Sequence, residues 1–303
     1  MRDSFSNALV EAAKNDSRVY LLTGDHGYAL FDSLRKTCPE KYINAGIAEQ
    51  NMVGVAAGMA KAGLIPIVYG LASFIPIRVL EQIKLDICFE NLQVILIGDG
   101  AGVAYSKLGV SHQCFEDIAA VRALPNIQVM SPCDQYEMKL CMEAALAYKG
   151  PTYIRVGKSD QGSVHASNDF SKSPGIHEVT KPAKNQPVIM ATGSMVKVAQ
   201  KMIEKEFKGF GLCSVTMVKP FDGKAFDKYT SGSDLVISLE EHSVYGGLGS
   251  TITEHVTATN PKKVLRLGIE DRFSDKCGTY EYLMLEHKLD EKSLIQKISM
   301  LTN

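Results

Sequence analysis

The sequence predicts an α/β protein of two doubly wound domains, a mainly parallel-sheet domain followed by a smaller one. Three observations carry that expectation: short apolar, β-branched runs alternate with stretches of helical period, the alternation stops over a polar stretch, and it then resumes. At 303 residues, 45% of them hydrophobic, the chain is long enough for about two buried cores.

In chain order, residues 19–22, 65–69, 94–97, 127–130 and 152–156 have the length and β-branching of buried strands, with helical segments such as 137–148 between them. From about Lys158 the pattern gives way to a stretch rich in Ser, Lys, Pro and Asn, which reads as a linker. PVIMATGS then opens a second unit, with a helix at 195–207 and strands in GLCSVTMVKP, DLVISLEEHS and VLRLGI. The expected boundaries are 1–160 for the first domain, 161–186 for the linker and 187–303 for the second domain. No repeat of solenoid period is visible.

The 33 basic and 34 acidic residues leave a formal charge of −1, so no one-signed field draws in nucleic acid or an anionic membrane. Asp3, Glu11 and Asp16 stand where a signal peptide needs an apolar run, so a cytoplasmic location is expected. The seven cysteines are scattered, with no Cys-x-x-Cys pair and no His–Cys cluster at zinc-ligand spacing, and read as reduced, packed thiols. No metal ligand is assigned to this chain.

The densest chemical signal is NAGIAEQNMVGVAAGMAKAG at 44–63, a strand running into a nearly uncharged helix with Glu49 at its head. A glutamate there also complements a helix N-terminus. Gly54, Ala57 and Gly58 let another backbone approach the helix closely. Further signals are Ser73-Phe74, RVLEQIKLDI, Gly109-Val110-Ser111-His112-Gln113, FEDIAAVRALPNIQVMSPCD and GPTYIRVGK, then KPFD, LEEHSVYGGLGS and GIEDRF.

In that colinear order these segments resemble the pyrimidine-binding and carboxy-terminal domains of transketolases, over essentially the whole chain. The resemblance implies the cofactor thiamine diphosphate, with Glu49 as the acid that hydrogen-bonds its aminopyrimidine ring and Phe74 as the aromatic that stacks on it. A core phenylalanine is the other account of Phe74. Asp25, in the loop after the first strand, matches an acidic position near the cofactor, where a turn-forming aspartate serves equally. Arg78 matches, with a one-residue offset, a cofactor-side arginine of deoxyxylulose-phosphate synthases. His112 matches the histidine that contacts the donor ketose, and a neutral imidazole suits proton movement at a carbinol oxygen. Lys158 and Arg155 lie where transketolases and the synthases, respectively, carry a phosphate-binding arginine.

Departures from the family pattern are equally informative. Gly100 stands where transketolases have a histidine, and Tyr105 to Leu108 replace an acidic run, so an altered substrate pocket lined by Ser106 and Lys107 is expected. Asp99 and Asn126 mimic the spacing of the family's diphosphate and cation motif, but colinearity places them in the pyrimidine domain. That motif belongs to an amino-terminal domain outside this sequence. The resemblance therefore implies a separate subunit holding Mg2+ or Ca2+, with the whole assembling two plus two. The glycine-rich loop 246–249 is taken as a structural turn, with His242 a minor candidate near the site.

Three functions remain open on the sequence: ketol transfer from a ketose or its phosphate to an aldose, a decarboxylating carboligase subunit resembling deoxyxylulose-phosphate synthase or the pyruvate dehydrogenase beta subunit, and a non-catalytic assembly subunit.

Overall fold

The computed structural model describes residues 1–27 and 29–302. Six strands form the parallel part of a first sheet: β1 (Val19–Thr23), β2 (Tyr42–Asn44), β3 (Ile65–Leu71), β4 (Ile95–Asp99), β5 (Gln128–Met130) and β6 (Thr152–Val156). Every residue of β3, β4 and β6 is buried, as expected of strands covered on both faces. One face is covered by α1 (Arg2–Asn15), α2 (Asp32–Thr37) and α6 (Gln135–Ala147), where Phe5, Leu9, Phe31 and Met138 meet Leu21 and Ile67. The other carries α3 (Glu49–Lys61), α4 (Leu80–Gln82) with the π-helical turn that continues it, and α5 (Asp117–Arg122), packing Met52, Ile83 and Ile118 on Val68 and Leu96.

The second sheet contains β7 (Ile176–Thr180), β8 (Val188–Ala191), β9 (Gly211–Val215), β11 (Leu235–Ser243) and β12 (Lys263–Ile269), in the order β12-β11-β8-β9-β7. Helices α7 (Met195–Lys205), α8 (Gly223–Thr230), α9 (Leu248–Ala258), α10 (Tyr280–Glu286) and α11 (Glu291–Thr302) accompany it. None of the described helices is long and apolar enough to cross a membrane.

Two expectations need correction. The stretch expected as a linker contains β7, which closes the second sheet by pairing antiparallel with β9. Sparse side-chain alternation hid it, because an edge strand is held mainly by its backbone. GLCSVTMVKP is also two strands rather than one: after buried Thr216 the chain leaves the second sheet, and β10 (Met217–Lys219) pairs antiparallel with β5 at the edge of the first. Thr216 donates its amide to Gly175 and accepts from the Ser131 amide, both at 2.8 Å, and so ties the two sheets at the crossing point.

Candidate active site

The first sheet has the order β10-β5-β6-β4-β3-β1-β2, and the chain runs from β1 outward to β2, then back across β1 to β3. Such a reversal opens a crevice at the carboxyl ends of the strands, the usual ligand position in open α/β sheets. The loop after β1 brings Asp25 and His26 to it, the start of α3 brings Glu49, the turn after β3 brings Phe74 and Arg78, and the loop after β4 brings His112. The turn after β3 is fixed by the Phe74 and Ile75 amides, which both donate to the Leu71 carbonyl.

These side chains form one cluster. The Glu49 carboxylate, 5% exposed, lies 3.0 Å from the Arg78 guanidinium. That guanidinium sits over the Phe74 ring at 3.9 Å from its centroid, a cation–π contact. The His112 ring meets Phe74 edge-on at 5.4 Å, and the His26 ring lies 5.7 Å from it. Ser111 Oγ and His112 Nδ1 are 2.9 Å apart. Burial lowers the His26 pKa, with Glu49 and Asp25 opposing, so its imidazole is mainly neutral near pH 7. His26 had no assigned role in the sequence, although it neighbours Asp25. Its Nδ1 and the Ser73 hydroxyl are buried without a hydrogen-bond partner beside the cluster, polar atoms that a bound ligand can satisfy.

On the substrate side, Ser106 and Lys107 form a turn that faces Tyr280 of the second domain. Lys107 and Lys158 line one cleft of about 510 Å³ with Tyr105 and Tyr280. Lys158 pairs with Asp160 at 2.9 Å and lies over the Tyr280 ring. A groove of about 560 Å³ between α1 and α6 contains none of the expected site residues.

Arg155 belongs to neither region. It is 1% exposed, its Nε donates to Asp117 at 2.9 Å and its Nη2 to the Glu241 carbonyl at 2.8 Å, so it has no face left for a phosphate. Inward direction on a central strand decided this, and the segment IRVGK does not disclose it. Gly100 likewise makes no substrate space. Its φ is +71°, and a Cβ there would collide with the Tyr105 ring, so the backbone and Tyr105 require glycine and a histidine would be strained. Asp99 accepts from Arg2 and Tyr105, and Asn126 donates to the Cys88 carbonyl, which gives both residues partners within the fold. At 246–249 the Leu248 and Gly249 amides bind the Glu240 carboxylate, so the chain's own side chain fills that helix start. His242 is fully buried, with Nε2 accepting from the Ala119 amide and Nδ1 2.8 Å from the Ser243 carbonyl, which removes it from the candidates.

A parallel sheet with an acid, an aromatic face and two histidines at its switch point defines a cofactor-binding α/β enzyme domain. Residues 1–162 match the transketolase pyrimidine binding domain and residues 177–287 the transketolase C-terminal domain. The chain belongs to the transketolase family, whose cofactor is thiamine diphosphate. It is 32% identical over 296 residues to a subunit of the apulose-4-phosphate transketolase of Phocaeicola vulgatus, covering 97% of this chain and 94% of that one. A solved split-gene transketolase, an inactive beta4 tetramer, superposes with a TM-score of 0.86 at 32% identity, covering 99% of this chain and 96% of that one. The 1-deoxy-D-xylulose-5-phosphate synthase of Chlorobium luteolum is 30% identical over 98% of this chain, which spans 48% of that protein. The chain spans nearly the full length of the transketolase subunits it resembles, and about half the length of the single-chain synthase.

Proposed function

We propose that this chain is the cofactor-activating subunit of a transketolase-like enzyme that moves a two-carbon ketol unit from a ketose to an aldose. The observation that carries this is the convergence of Glu49, Phe74, Arg78 and His112, with two unsatisfied buried polar atoms, at the switch point of the first sheet. These residues fit an aminopyrimidine: a carboxyl for its ring nitrogen, an aromatic face, and the His26 and Ser73 groups for its remaining polar edge.

When bound, thiamine diphosphate supplies a nucleophilic ring carbon able to take up the two-carbon unit. Glu49 would hold the pyrimidine by a hydrogen bond to its ring nitrogen, and its near-complete burial keeps solvent from that contact. Phe74 presents a ring face. Arg78 now makes the contacts to Glu49 and Phe74 that the pyrimidine would need, and its half-exposed guanidinium would have to turn aside for them. His112 moves a proton at the donor's hydroxyl or carbonyl oxygen. Asp25 lies exposed in the loop after β1, next to His26. The cleft of Ser106, Lys107 and Lys158 receives the far end of the sugar, with two ammonium groups for any phosphate.

The diphosphate and its Mg2+ or Ca2+ are held by a separate amino-terminal subunit, in an assembly of two plus two chains. Ile47 and Phe89, 78% and 79% exposed, and the open glycines of α3 leave an apolar surface for such contacts. The same separation accords with the solved relative, whose beta4 tetramer is inactive.

Calorimetry of the isolated chain with thiamine diphosphate and magnesium should show weak binding and no turnover. Adding the partner subunit and hydroxypyruvate should restore ketol transfer. Turnover of pyruvate instead of hydroxypyruvate would move the assignment to the decarboxylating branch, and no turnover of either in the complex would leave an assembly role.

A further inference from the structure

We propose that the amino-terminal end of α6 carries a zinc site, with Cys133, Glu137 and His165 as ligands and His177 completing the set. These residues come from three segments: the start of α6 with the turn before it, the stretch between the two domains, and β7. The Cys133 sulfur, a Glu137 carboxylate oxygen and a His165 ring nitrogen all lie within 4.8 Å of one another, the one such group among the described residues. His165 Nε2 is 3.0 Å from Glu137 Oε1, and the Cys133 amide donates to Glu137 Oε2 at 2.8 Å.

The group is organised in advance by residues that would not touch the metal. Asp134 Oδ1 accepts from the Tyr136 and Glu137 amides, which caps α6, while its Oδ2 accepts from the Val164 and His165 amides. One carboxylate therefore fixes the backbones of two ligands relative to each other. Phe170 stacks on the His165 ring with centroids 3.6 Å apart and planes 5° from parallel, which fixes its orientation. His177 packs edge-on against the other partner of that stack, Phe170, at 5.1 Å. Its ring is 6.3 Å from that of His165, it is only 8% exposed, and its Nε2 is buried without a partner. His177 lies outside the three-residue group, but its buried, unsatisfied imidazole nitrogen is a donor that a turn of the side chain could bring to the fourth position of a tetrahedral site.

Ligand chemistry selects the metal. Sulfur and two imidazoles disfavour Mg2+ and Ca2+, which take oxygen, and suit Zn2+. On binding, the Cys133 S–H gives its proton to solvent and its electron pair to the cation, with no change of oxidation state. One thiolate and one carboxylate then balance the two positive charges. The site would fasten the interdomain stretch and β7 to α6, a structural role independent of the proposed catalysis.

The test uses the full chain, stripped with chelator and then dialysed against Zn2+ or Co2+. The expected result is one zinc per chain by elemental analysis, a thermal midpoint raised by Zn2+ but not by Mg2+, and a thiolate-to-cobalt charge-transfer band. Cys133→Ser should remove the band and His165→Gln the stoichiometric uptake. Wild-type chain that takes up less than one equivalent, or shows no thiolate band, overturns the site without need of any variant. Unchanged uptake and spectrum in both variants overturns it too, and would leave a hydrogen-bonded polar cluster in its place.

Discussion

Two arginine–carboxylate pairs in the first domain have nearly the same separation and opposite characters. Arg78 meets Glu49 at 3.0 Å and Arg155 meets Asp117 at 2.9 Å. Arg78 is 44% exposed and its partner 5%, whereas Arg155 and Asp117 are 1% and 0% exposed. Around the first pair, His26 and Ser73 keep unsatisfied polar atoms. Around the second, Tyr153 donates to Asp117 at 2.7 Å, and Arg155 reaches the Glu241 backbone. Glu241 in turn accepts from Val103, Ser194 and Tyr280, joining both domains. A pair with one wet partner and vacant hydrogen-bond capacity nearby can exchange partners for a ligand. A dry, saturated pair cannot, and works as an interdomain fastening.

The contrast can be broken at either end. The largest effect is expected at Glu49→Gln: turnover of the complex with its partner should fall toward the upper end of roughly 10²–10⁴-fold, because an amide cannot share the pyrimidine proton, with the unfolding midpoint nearly unchanged. Steady-state rates and a thermal melt check both halves, and a wild-type rate removes Glu49 from its role. Asp117→Ala should behave inversely. It leaves Arg155 charged and buried without its carboxylate, a loss of about 3–5 kcal/mol in folding stability readable from denaturant unfolding. Stability within about 1 kcal/mol of the unaltered chain would show that the pair is not the fastening described.

His112→Ala sharpens the open side, since its ring lies at the edge of Phe74 rather than against Glu49. Turnover with donor ketose should fall by roughly 10²-fold while calorimetric affinity of the complex for thiamine diphosphate holds, and an equal loss of affinity would place His112 on the cofactor. The smallest effect belongs to a third kind of pair, on the surface. Arg18 donates to Asp16 at 2.7–3.0 Å, and its hydrogen bonds hold the Asp16 carboxyl down at about 2. The folded pKa is depressed, so the small stabilisation is present above the ordinary aspartate range and is lost as pH falls from about 4 toward about 2. Carboxyl NMR titration should show the depressed value and its return toward the ordinary one in Arg18→Ala, with stability at neutral pH little changed because solvent screens the pair.

Much of the fold was legible because parallel strands buried on both faces are written as continuous apolar runs. Residues 152–156 and 65–69 could be read directly for that reason. Edge strands lack that signature, so β7 and β10 emerged only in three dimensions. Among the site residues, Glu49, Phe74 and Arg78 could be picked from motif and order, and the structure brings them together with His112. Arg155 could not be sorted from them, because the sequence names a cation without saying which way its strand turns it.

What the sequence by itself determined was the class of fold, the colinear family pattern and the chemical types available at the head of α3, since these follow from local period, spacing and residue identity. Only tertiary structure decided which arginine stays partly exposed, that Gly100 answers to the Tyr105 ring, that Thr216 carries the chain from one sheet to the other, and that Cys133, Glu137 and His165 converge. Those outcomes depend on contacts between residues distant in the chain. Hydrophobic period fixes how a segment folds locally, but burial and hydrogen-bond saturation belong to the packed whole, and they separate a residue that binds from one that holds the fold together.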